Sequence, residues 1–134
     1  MADSRNTPHV DMLRSPLGRA RGLGSARAGA AHWWAQRLTA VAMVPLTLWF
    51  ICAVIRLKGA GQGDVAAWLS TPIPLVLLLA LIIATFHHLQ LGLQVVIEDY
   101  VHDHACKLAS VLAMKAACAL LALACLVATL KLGL

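Results

Sequence analysis

IPLVLLLALIIATFHHLQLGLQVV, residues 73–96, contains no Asp, Glu, Lys or Arg and is closed abruptly by Glu98, Asp99, Tyr100, His102, Asp103 and His104. As a helix, this run is about 36 Å long at about 1.5 Å per residue, enough to cross a hydrocarbon layer of roughly 30 Å. Ser70, Thr71 and Pro72 just before it read as an N-cap and first-turn punctuation. Two further apolar blocks flank it, giving expected spans at about 38–55, 73–97 and 108–130. The first block is followed by Arg56, Lys58, Gly59, Gly61, Gly63 and Asp64, a stretch read as ending any helix. Pro45 inside the first block is tolerable in lipid, where neighbours satisfy the freed carbonyl, and is expected to kink the helix. Lys115 and Lys131 in the third block have stems long enough to snorkel.

Composition agrees with lipid as the solvent. Of 134 residues, 60% are hydrophobic and 13% charged, with a mean hydropathy of +0.78, whereas a soluble domain has about a quarter charged residues. The fold class expected is an all-α membrane protein with three transmembrane helices spread over residues 32–134. Residues 1–31 form a polar, arginine-rich arm with Arg5, Arg14, Arg19, Arg21 and Arg27 against Asp3 and Asp11. That arm has no apolar core of the length a cleaved signal peptide needs, although its composition also suits a mitochondrial transit peptide. It lacks base-stacking aromatics, so its charge reads as a topology signal rather than a nucleic-acid site. The arm is then cytoplasmic in a bacterial inner membrane, or on the matrix side of a mitochondrial one. The loop after the first span faces outward and the loop after the second inward, with Arg56 and Lys58 opposing the rule. The four cysteines show no ligand spacing and read as small buried hydrophobes.

Three groups of residues carry candidate chemistry. Ionisable groups within a span are expensive and mark function by default. His88, Gly92, Val95 and Asp99 share one helical face at 100° per residue. An imidazole one turn from a glycine offers a ligand for haem iron and room for a flat macrocycle. The same pair also suits an interhelical hydrogen bond with a small packing residue. Adjacent His87 points about 100° away, so the two cannot share one iron, and a bis-histidine haem requires a second chain. At the end of this helix, Tyr100 could hydrogen-bond a quinone carbonyl while Glu98 or Asp99 helps move its proton, or all three could be a solvated helix end. His102 and His104 read as loop residues, with a metal site including Asp103 poorly supported. At the start of the first span, His32-Trp33-Trp34-Ala35-Gln36-Arg37 places His32 and Arg37 at the interface. There they could donate to a haem propionate or quinone oxygen, or Arg37 could snorkel to lipid phosphate.

The segment from His88 through Gly92 to Asp99-Tyr100 resembles the H-x-x-x-G…D-Y pattern of the succinate dehydrogenase hydrophobic membrane anchor subunit family. The run His32-Trp33-Trp34-Ala35-Gln36-Arg37-Leu38-Thr39-Ala40 is similar to the start of that family's first helix, especially in alphaproteobacterial members. The resemblance covers about residues 25–132. It implies that His88 is an axial ligand of a haem b shared with a second membrane cytochrome b subunit. It further implies that Tyr100 binds ubiquinone beside Asp99. Electrons would arrive from succinate through a flavoprotein and an iron-sulfur subunit, and this chain would not touch succinate. Rival readings are a packing or assembly subunit without haem and the anchor of a menaquinone-linked fumarate reductase.

Overall fold

The computed structural model describes Leu17 and residues 29–134. The arm arginines Arg5, Arg14, Arg19, Arg21 and Arg27 lie outside the described residues, as do Asp3 and Asp11. Among the described residues the elements are α1 (Gly29–Arg56), α2 (Gln62–Leu69), α3 (Pro72–Tyr100) and α4 (His104–Gly133). Three of them, α1, α3 and α4, are long and apolar enough to cross a membrane. Each exceeds its apolar block. α1 begins nine residues earlier than the block at 38, and its 28 residues amount to about 42 Å. Helix α1 continues through Pro45, whose ring removes the bond to the Val41 carbonyl.

Gly59, at φ +84°, turns the chain after α1. The following stretch then departs from the loop expected of it, since Gln62–Leu69 is helical. Its signal is a one-sided cap: the Gly61 amide donates to the Asp64 carboxylate at 3.1 Å, which satisfies one of the orphan donors at the start of the helix. The apolar side of α2 is anchored through Leu69, only 2% exposed. Beneath it lies Gly133 of α4, where a Cβ would come within 3.0 Å of Leu75 and 3.2 Å of the Leu69 carbonyl oxygen. Trp68 stacks on Trp49 of α1 with ring centroids 6.0 Å apart and planes 19° apart.

Pro72 opens α3 with Thr71 at the N-cap. The Thr71 hydroxyl donates backward to the Trp68 carbonyl at 2.6 Å instead of capping the helix. The turn into α4 is capped by Asp103, whose carboxylate accepts from the Cys106 amide at 2.8 Å. These bonds to Cys106 hold the Asp103 carboxyl below the usual carboxylate range. His104 belongs to α4 as its exposed first residue, which corrects the loop assignment made for it. Lys107 on the first turn of α4 donates from Nζ to the Glu98 carbonyl at 3.0 Å, tying the end of α3 to the start of α4.

Helix α3 is central. It packs against α1 on one side and α4 on the other, while α1 and α4 make no contact among the described residues. The three long helices therefore form an open layer with little interior: Ala53, Leu91 and Cys118 are its buried apolar residues, with Leu69 of α2 beside them. Cys118 fits the reading of cysteine as a small buried hydrophobe, whereas Cys52, Cys106 and Cys125 are exposed. In lipid such an exposed apolar surface carries no hydrophobic penalty.

Candidate functional site

Helices α1 and α3 are antiparallel, and two side-chain contacts fix their register. Thr39 Oγ1 stands 3.0 Å from His88 Nδ1. One turn further along α3, a Cβ on Gly92 would stand 3.6 Å from the Gln36 side-chain nitrogen. This register brings the start of α1 and the end of α3 to the same membrane surface. His88 is half-buried in the α1–α3 interface, and Gly92 and Val95, its predicted stripe partners, line a cavity of about 400 Å³ with His32, Trp33, Gln36, Arg37 and Ala40.

The 3.6 Å clearance at Gly92 is ordinary van der Waals contact. Close helix packing therefore does not require a glycine here; its effect is to leave one wall of the cavity bare. Nε2 of His32 is buried and has no hydrogen-bond partner among the described residues. An orphaned buried nitrogen is costly and calls for a partner beyond the described residues. Arg37 is exposed, and its guanidinium lies 4.6 Å from the centroid of the Trp33 ring. That cation–π contact, between residues four apart on one helix, holds a positive charge at the cavity wall. The sequence expectation considered Arg37 only as a donor to a ligand or to lipid, and missed Trp33 as its platform.

His87 takes a different direction. It is exposed and lines two grooves, one with Ala35, Leu38, Thr39, Ala42, Ile83 and Ala84, the other between α3 and α4 against Cys118, Ala119 and Ala122. The two neighbouring imidazoles thus part as the helix geometry demands.

Asp99 and Tyr100 complete α3 at the membrane surface and are both exposed, Tyr100 at 78%. They do not line the cavity that holds His32 and Arg37. Beside them, Gln94 Nε2 donates to the Glu98 carboxylate at 2.7 Å. Among the described residues no group of three His, Cys, Asp or Glu side chains could hold a metal ion. His102, Asp103 and His104 therefore do not converge, and the Asp103 carboxylate is engaged as a helix cap.

Fold and site together define a polytopic helical membrane subunit with a histidine held between two spans beside a cationic, open-sided cavity. Residues 12–122 match the family described as succinate dehydrogenase/fumarate reductase transmembrane subunit, and the chain belongs to that family. It is 34% identical over 103 residues to the succinate dehydrogenase hydrophobic membrane anchor subunit of Rickettsia bellii (strain RML369-C), covering 77% of this chain and 82% of the relative. It is 31% identical over 93 residues to the protein of that name from Rickettsia conorii (strain ATCC VR-613 / Malish 7), covering 69% and 74%. The Paracoccus denitrificans protein of the same name is 35% identical over 86 residues, covering 64% of this chain and 67% of its own. No solved structure matches the chain.

Proposed function

We propose that the chain is the membrane anchor subunit of a succinate:ubiquinone oxidoreductase in a bacterial inner membrane, contributing one haem b ligand and part of the ubiquinone-reduction site. The observation that carries this reading is the α1–α3 register, which sets His88, Gly92, His32 and Arg37 along a single interface. His88 would hold the haem iron, and the bare wall at Gly92 would give a flat macrocycle room. Arg37 and Nε2 of His32, unpartnered among the described residues, supply a charged and a polar group for propionates or a quinone oxygen. A bound haem supplies one-electron storage at this level of the membrane. Asp99 and Tyr100, at the surface where a soluble iron-sulfur subunit would sit, bind and protonate the quinone. A second iron ligand would come from a second membrane cytochrome b subunit, since His87, adjacent to His88, faces other grooves.

A reduced-minus-oxidised spectrum of the purified complex tests the reading: a low-spin b-type haem is expected, and its complete absence would leave a packing subunit. Arg37→Ala is expected to weaken haem retention or quinone reduction several-fold more than Arg21→Ala does. Equal, negligible effects of both would assign Arg37 to lipid phosphate. Activity with ubiquinone analogues against menaquinone analogues separates this reading from a fumarate reductase anchor.

The arginine-rich arm supports a cytoplasmic N-terminus by the positive-inside rule. In a cysteine-free background, Gly61→Cys should react with an impermeant maleimide on intact cells and His104→Cys should not. Labelling of His104→Cys alone, or of both, would overturn the orientation.

A further inference from the structure

We infer that Thr39 is a positioning residue for His88: its hydroxyl oxygen accepts the Nδ1–H hydrogen bond and so leaves Nε2 as the lone-pair nitrogen available to iron. The inference rests on the haem reading above and adds the protein group that sets the ligand's tautomer and ring orientation. Thr39 Oγ1 lies 2.8 Å from the Ala35 carbonyl oxygen, 3.0 Å from the Gln36 carbonyl oxygen and 3.0 Å from His88 Nδ1. A hydroxyl carries one proton and two lone pairs. Carbonyl oxygens only accept, so two of them at these distances require the hydroxyl proton; turned toward Nδ1 instead, it would leave bare oxygens facing each other.

Nδ1 must then be the donor. A neutral imidazole has a single N–H, so with the proton on Nδ1 the free lone pair belongs to Nε2. Histidine ligands of metals commonly donate their other N–H to a fixed acceptor, which aligns the ring and raises its basicity. Thr39 is well suited to that task. Its branched side chain has few rotamers, its hydroxyl is tied to its own helix, and it sits on α1 while its imidazole partner sits on α3. Ring orientation is therefore coupled to the packing of the two helices. His87 has no such acceptor among the described hydrogen bonds, which gives a physical reason for iron to choose His88.

Thr39→Val replaces the hydroxyl by a methyl at nearly constant volume, and Thr39→Ser keeps the hydroxyl. Both would be purified as the full complex and followed by redox titration of the haem and by haem retention on dilution. Loss of the acceptor makes the imidazole a weaker donor and disfavours ferric iron. Thr39→Val should shift the ferric-to-ferrous balance about tenfold, a rise of about 59 mV for one electron. It should also weaken haem retention about 10- to 100-fold, while Thr39→Ser stays near wild type. If Thr39→Val fails to assemble, Thr39→Ala against Thr39→Ser reads the same difference. A wild-type potential and retention in the hydroxyl-free variant would overturn the role of Thr39 while leaving His88 as ligand. A complex that contains no haem before any substitution would instead overturn the His88 assignment and this inference with it.

Discussion

Replacing His88 by alanine is expected to abolish the low-spin six-coordinate spectrum of the haem or to remove the haem altogether. On the ligation proposed above, the variant would deprive the iron of one of two protein ligands, and it removes the tether between Thr39 of α1 and α3. Haem content per complex should fall from near one to a small fraction, while succinate oxidation by the soluble subunits with an artificial acceptor persists. His87→Ala is the matched control. Its imidazole is exposed and lines grooves turned away from the cavity of Gly92 and Arg37, so this variant should keep the spectrum. Loss of haem in His87→Ala with retention in His88→Ala would move the ligand by one residue. Retention in both would remove haem ligation from this chain.

Tyr100→Phe is expected to slow ubiquinone reduction while leaving the haem spectrum untouched. Tyr100 ends α3, 78% exposed in the isolated chain, and twelve residues of helix place it about 18 Å along the axis from His88. Removing the hydroxyl takes away one donor to a quinone carbonyl and leaves the ring, so the apolar contact survives. A single hydrogen bond of about 1.4 kcal/mol corresponds to a roughly tenfold loss in kcat/KM for ubiquinone. Asp99→Asn should affect the same step through proton supply. Kinetics unchanged over a full ubiquinone series would return Tyr100 to the interfacial aromatic belt.

The spans were legible because length and charge alone distinguish a lipid-soluble helix: residues 73–96 needed no partner to be recognised. Their ends were less legible, since Gly29, Ala31 and His104 are helical for reasons of backbone satisfaction that no hydropathy change marks. Helix α2 was missed because Gly61 and Gly63 read as breakers. The Asp64 carboxylate, three residues after Gly61, was the available sign of a helix start. Within the site, the His88–Gly92 spacing and the position of Arg37 could be read locally. Thr39 could not, because its role arises only when α1 and α3 meet in one antiparallel register. Lys107 was hidden for the same reason, as it reaches back across a turn to the carbonyl of Glu98.

The open layer of α1, α3 and α4 bears on the life of a copy that has not yet met its partner. His87 lies on an exposed face within a span, and a polar group left without a hydrogen bond in hydrocarbon costs about 2 kcal/mol or more. An orphan copy is thereby the least comfortable form of the chain in the bilayer, drawn toward water defects and within reach of membrane proteases. Cells that make this subunit in excess should degrade the surplus faster than the assembled pool, so that synthesis matched in number and time to the rest of its complex governs how much of it survives.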